Sequence, residues 1–184
     1  MYKNLLKSSL VTTLIILAPL VLMVSSGFVY DYSAGFNEKE DEMNVIKGYF
    51  FSNGEVSELL NEKEESHMED VKNLIVTSQL IFILLIVTFA YLKFNDELSK
   101  KHYVTGGKAG LYFTLGVMVF ALISFERLFY YFHLVFFPMG NFTFPEQSIL
   151  IQLFPPEFFL QISIAWLIAS FVISLTTLLL SKYL

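Results

Sequence analysis

The chain contains no cysteine, which excludes disulfides, thiolate metal sites and a thiol nucleophile. Basic residues are scarce, 12 Lys and Arg against 17 Asp and Glu for a net charge of −5, and they lie mainly on the side read below as cytoplasmic, so nucleic acid is not an expected partner. There is no Gly-rich phosphate loop, no HExxH, no GxSxG elbow and no metal-ligand spacing. No nucleotide, metal or other cofactor is therefore expected. Also missing is any polar stretch long enough to build a large soluble domain. What remains is a 184-residue chain that is 55% hydrophobic and 17% aromatic, with a mean hydropathy of +0.59. Uncharged apolar runs of about 20 residues in such a chain read as membrane-spanning helices.

Four such segments occur, over about 10–24, 74–94, 111–137 and 160–180. The first resembles a signal peptide, with Lys3 and Lys7 ahead of it and Ser25-Ser26-Gly27 behind. Its apolar character continues upstream through Leu5 and Leu6, so a retained span is expected. Lysines sort by loop: Lys3 and Lys7 at the amino end, Lys100, Lys101 and Lys108 in 95–109 with Lys93 at its edge, and Lys182 at the carboxyl end. Segment 138–159 has no lysine or arginine, and 27–73 holds 4 lysines among 12 acidic residues. The expectation is an all-α integral membrane protein, a single membrane domain of four transmembrane helices. Both termini and the 95–109 loop would be cytoplasmic, and 27–73 with 138–159 would form a small extracytoplasmic cap.

Three helix starts are legible in that cap. Ser52-Asn53-Gly54-Glu55 has capping-box spacing ahead of Val56, Leu59 and Leu60. Asn61-Glu62-Lys63-Glu64 offers a second start that runs on into the second span. Pro155-Pro156-Glu157 suits the first turn of the fourth helix, with proline and an acid at the positive dipole end. Between them, Ile149 to Phe154 form an apolar stretch expected to lie on or dip into the membrane interface.

Few residues here can carry chemistry. Of the three histidines, His67 and His133 fall at the same outer boundary, and His102 falls on the opposite side. His133 lies roughly 14 Å outward from the centre of its span near Ser124, at 1.5 Å per residue, and His67 precedes its span by a turn or two. Histidine titrates near neutrality, so two that meet could exchange protons with a membrane-held substrate. The alternative is two unrelated polar residues at helix ends. Glu64 and Asp70 share a helical face with His67, either as partners that orient its imidazole or as a solvated acidic face. Glu126 and Arg127 sit near the middle of the third span, where charges cost about 2.5–3.5 kcal/mol to insert and usually have a role. Glu126 shares a face with Tyr130 and His133. A hydrogen-bond network supporting His133, a direct catalytic role and a proton or ion path all remain open. Twelve of the chain's 31 aromatics lie in residues 125–159, either as an interfacial belt or as a wall around an acyl-bearing substrate.

These residues also carry a resemblance. Glu64 to Val71, with its His67-Met68-Glu69-Asp70-Val71 core, is similar to the outer motif of the bacterial lipoprotein intramolecular transacylase family. So are Phe132-His133-Leu134-Val135-Phe136-Phe137, the Phe142–Phe144 turn and Leu150-Ile151-Gln152-Leu153-Phe154-Pro155. The resemblance spans the four helices, the cap and two separated histidine motifs. It implies an acyltransferase of the bacterial cell membrane, acting on its extracytoplasmic side on a diacylglyceryl-modified lipoprotein. The sn-2 acyl chain would pass to the α-amino group of the lipoprotein's amino-terminal cysteine, giving the lyso form. It implies His67 and His133 as the acid/base pair, in either order, with His67 as base in the first instance. Asp70, Glu64, Glu126, Arg127 and Tyr130 would support them. Phe132, Phe136, Phe137, Phe144 and Phe154 would line the pocket, and no cofactor or nucleotide would be needed. A monomer in contact with membrane lipid is expected. The competing readings are a small ion-coupled transporter using Glu126 and Arg127, and a non-catalytic membrane assembly factor.

Overall fold

The computed structural model describes residues 2–37, 39–52 and 54–183. Among them every regular element is helical: α1 (Tyr2–Ser25), α2 (Phe28–Asn37), α3 (Glu40–Phe51), α4 (Glu62–Phe94), α5 (Lys100–Phe136), α6 (Ile149–Leu153) and α7 (Pro156–Leu180), closed by a 3₁₀ turn over Ser181–Tyr183. Four of these, α1, α4, α5 and α7, are long and apolar enough to cross a membrane. The chain divides into two compact units, one of residues 1–22, 78–124 and 164–184, the other of 23–77 and 125–163.

In the first unit, which holds parts of α1, α4, α5 and α7, α5 packs on α1 and α7 through small residues. A Cβ built on Gly106 would stand 2.7 Å from Val11 Cβ and 2.9 Å from the Ser8 carbonyl oxygen. One on Gly110 would stand 2.7 Å from Ser174 Oγ. Helices in an apolar solvent gain nothing from hiding hydrocarbon and associate by close backbone approach, which these glycines permit. Gly106→Ala is accordingly expected to cost about 1–3 kcal/mol through overpacking. Gly116→Ala, where nothing lies within 4 Å, should be neutral or stabilising by up to about 1 kcal/mol. Thermal unfolding in detergent checks both, and equal shifts for the two variants would remove the close-packing argument.

The polar ends of this unit are tied together. Lys7 Nζ donates to the Glu97 carboxylate at 2.8 Å and to its backbone carbonyl at 2.9 Å, which holds the Glu97 carboxyl below its usual range. Lys100 Nζ reaches the Lys182 carbonyl at 3.4 Å. His102 is buried here and fully occupied. Its Nδ1 accepts from the Ser99 amide at 2.9 Å, so Nε2 carries the proton and donates to Asn4 Oδ1 at 3.2 Å. It caps α5 and tethers α1. The amino end, the 95–102 segment and the carboxyl end are thus neighbours.

The second unit has its own core, in which Met43 and Ile46 of α3, Leu153 of α6 and Phe158 of α7 are almost wholly enclosed. Two helix starts in this unit lie where the local sequence signals put them. Asn61 Oδ1 accepts from the amides of Lys63 and Glu64 at 3.0 and 3.1 Å, and Glu64 Oε2 accepts from the Asn61 amide at 3.0 Å. That reciprocal box starts α4, which runs unbroken to Phe94. Pro156 opens α7 with Glu157 in its first turn.

Two expectations are corrected. No helix follows Ser52, and Asn53 of that capping box lies outside the described residues. Ser52 instead closes α3, its amide donating to the Gly48 carbonyl at 2.9 Å. Gly54 folds back on that same carbonyl at 3.0 Å, where a Cβ would lie 3.1 Å from Gly48 carbon, and Val56 and Leu60 are drawn into the core by burial. The apolar 149–153 stretch forms α6, whose Leu150 and Leu153 enter the protein core. The third span is not one helix, because Ser124 leaves helical geometry at φ −162°, ψ 94°. No proline or glycine marks the interruption, so periodicity gives no warning of it.

Candidate active site

Every candidate residue belongs to the second unit. His67 is on the second turn of α4 and His133 on the last turn of α5. Both are buried, each with 8% of its surface exposed. Their rings lie 6.0 Å apart between centroids and are inclined by only 27°. Two side chains far apart in sequence are therefore stacked close together, near enough for both to reach one reacting group.

Phenylalanines enclose this pair. Phe137 packs on both imidazoles, at 4.7 Å from His67 and 5.3 Å from His133, and is itself 3% exposed. Phe144 closes on His67 at 5.5 Å, and Phe132 on His133 at 5.4 Å. Two rings that were not among the expected pocket residues are as close: Phe129 at 4.2 Å and Phe142 at 5.1 Å from His133. The signal for Phe129 is local, since it stands one helical turn before His133. Phe136 lies beyond Phe132, at 4.8 Å from that ring. Phe154 belongs to the core, packed on Phe158 and Phe159, and Tyr130 is half exposed beside Phe142.

The polar partners are less symmetric. His133 Nδ1 donates to the Phe129 carbonyl at 2.8 Å, a bond that fixes its tautomer and leaves Nε2 for chemistry. His67 Nδ1 is buried without a hydrogen-bond partner. Asp70 accepts from Asn141 Nδ2 at 2.8 Å, and Asn141 is also within interaction range of His67. The sequence gives no sign of Asn141, because nothing local links it to Asp70. Glu64 turns away from His67. Its carboxylate accepts from the Asn61 amide and from the buried Ser148 hydroxyl, so it caps α4 and joins that helix to the start of α6. Lys63 adds a bond to the Thr143 carbonyl at 2.6 Å and stands over the Phe144 ring at 5.2 Å. The first turns of α4 thereby hold the 137–148 segment that carries Phe137 and Asn141. Glu126 and Arg127 are both on exposed surface of α5, while the hydrogen bond of His133 goes to Phe129.

The arrangement can move protons inside an apolar enclosure, and comparison with known proteins bears on what it moves them for. No curated protein matches the chain. Solved structures do. The membrane-integral lipoprotein intramolecular transacylase Lit from Bacillus cereus superposes with a TM-score of 0.82 at 22% identity, over 98% of this chain and 93% of that one. Two variants of the same protein, with one histidine replaced by arginine or alanine, give TM-scores of 0.74 and 0.72 at 21% and 22% identity. They cover 98% and 100% of this chain and 89% and 94% of theirs. At that identity the structures establish a shared four-span helical fold. A family model covers residues 28–159, the stretch that contains His67 and His133. The chain belongs to the lipoprotein intramolecular transacylase family, Lit: it is a membrane-integral acyltransferase.

Proposed function

We propose that the chain moves the sn-2 acyl group of a diacylglyceryl lipoprotein onto the α-amino group of its amino-terminal cysteine, through His67 and His133. The single observation that carries this reading is the facing pair of buried imidazoles at 6.0 Å. In the reaction a nitrogen–carbon bond forms at the ester carbonyl, the glyceryl oxygen's bond to that carbonyl carbon breaks, and one proton passes from nitrogen to the glyceryl oxygen. Ester to amide is downhill, and the nucleophile belongs to the substrate, so neither nucleotide nor enzyme nucleophile is required. The α-amine must lose a proton as it attacks, and an imidazole lone pair positioned beside it can accept that proton.

Asp70 favours His67 as the base, since a carboxylate behind the imidazole stabilises the imidazolium formed when it accepts a proton. His133 acts as the acid in its imidazolium form, whose Nδ1–H is held by the Phe129 carbonyl and whose Nε2–H donates to the ester oxygen and then passes to the departing alkoxide. Return of the proton from His67 to His133 resets the pair. The phenylalanines exclude water, which would otherwise hydrolyse the ester, and hold amine and carbonyl close enough for ring closure through sulfur and two glyceryl carbons. One chain supplies both histidines, in keeping with a monomeric enzyme. Mass spectrometry of a synthetic diacylglyceryl-cysteinyl peptide, incubated with the purified protein, tests the reading. Relocation of one acyl chain from glyceryl to nitrogen is expected, and release of free fatty acid or an unchanged peptide would refute it.

The lysine distribution supports a cell-membrane orientation with both termini and the 95–109 loop in the cytoplasm and the histidine pair outside. The lack of cysteine makes this testable with single introduced thiols. Ser57→Cys, exposed in the cap, is expected to react with an impermeant maleimide on intact protoplasts. Asn95→Cys should react only after permeabilisation, and the reverse pattern would invert the topology.

A further inference from the structure

Asn141 lies between an acid and an imidazole, and its amide has only one orientation that fits the acid. An ionised carboxylate only accepts hydrogen bonds, so the side facing Asp70 must be the NH₂ group. It donates to Asp70 Oδ2 at 2.8 Å, with a second contact to Ser66 Oγ at 3.2 Å. That leaves Asn141 Oδ1, an obligate acceptor, buried and unpartnered. The other unpartnered buried atom of the site is His67 Nδ1, on the residue that lies between Ser66 and Asp70, both of which the Asn141 amide contacts. Two unsatisfied atoms in one apolar enclosure cost free energy, unless one carries a proton for the other as the site closes.

We infer that Asn141 is a positioning residue that transmits the orientation set by Asp70 to His67, holding its proton on Nδ1 and its lone pair on Nε2. The inference rests on the reading of His67 as a proton acceptor and deepens it. Asp70 makes no hydrogen bond of its own to His67 Nδ1; the bond it accepts comes from the amide. The amide reverses the polarity of the contact, accepting toward His67 what it donates toward Asp70. This is the same division of labour as in a carboxylate–histidine pair, with one residue inserted. The residue comes from the 137–148 segment, which the bonds from Lys63 and Glu64 fasten to α4, so the relay forms only when that segment is docked.

The test uses the full chain in detergent, with kinetics on the diacylglyceryl-cysteinyl peptide and ¹⁵N NMR of labelled histidine. Asn141→Ala is expected to lower kcat about tenfold to a hundredfold, the range for losing the outer partner of a functional imidazole, with KM within about twofold. The His67 nitrogen signals should move from a single Nδ1–H tautomer to a mixture. Asp70→Asn, which leaves the amide of Asn141 free to flip, should produce the same mixture and guards against poor folding of the first variant. The double variant should be no slower than Asn141→Ala alone. Wild-type kcat in Asn141→Ala, or a slower enzyme whose His67 tautomer is unchanged, would overturn the inference. His67→Ala separates the two levels: if it is inactive while Asn141→Ala is not, only the relay is wrong, whereas an active His67→Ala removes the reading beneath it.

Discussion

His67→Ala and His133→Ala are each expected to reduce acyl transfer by about 10²–10⁴-fold, the usual worth of a positioned acid or base. His102→Ala should leave the rate within about twofold, since a change well below tenfold corresponds to under 1.4 kcal/mol. The contrast follows from what each ring touches. His102 spends both nitrogens on Ser99 and Asn4, so its removal should lower the unfolding temperature without touching the chemistry. His67 and His133 face each other at 6.0 Å, and a single proton must leave the amine and reach the glyceryl oxygen during one turnover. If they act as one unit, the double variant will be little worse than either single one. Full activity in either single variant would sink the two-histidine mechanism, and mass spectrometry of the product peptide distinguishes loss of transfer from diversion to hydrolysis.

Phe137→Ala is expected to be the most damaging apolar substitution in the site. The ring is 3% exposed and touches His67 at 4.7 Å, His133 at 5.3 Å and Phe132 at 6.2 Å. Emptying such a position costs about 3–5 kcal/mol, part of it from the cavity that remains. Here the cavity would open directly beside both imidazoles. Activity should therefore fall further than stability alone explains, with hydrolysed peptide appearing as water enters. Phe137→Leu refills most of the volume and should recover much of the stability. Calorimetry of the purified variants beside the peptide assay checks both halves, and a Phe137→Ala protein within about 1 kcal/mol of wild type would show that the ring is not a packing keystone.

Part of this organisation is legible in the order of the residues alone. Four apolar runs, the proline-led start of α7 and the reciprocal Asn61–Glu64 cap depend on residues within a few positions of one another. Composition and spacing therefore determine them. The lysine distribution likewise points to a shared location for the termini and the 95–109 loop, and the Lys7–Glu97, His102–Asn4 and Lys100–Lys182 contacts join those segments. Glu64 shows the limit: helical spacing aligns it with His67, yet its carboxylate serves the cap and Ser148.

The sequence by itself determined the membrane-spanning class, the starts of α4 and α7, and the presence of two histidines near one boundary without the motifs of nucleotide, metal or thiol chemistry. Only the tertiary structure decided that those histidines face each other. It also decided that Phe142 completes the enclosure, that Asn141 donates to Asp70, and that α5 breaks at Ser124. The physical reason is range. Helix formation and capping are settled by neighbours in the chain, whereas each of these contacts joins segments from different elements, or depends on backbone geometry that packing selects and no local residue type announces.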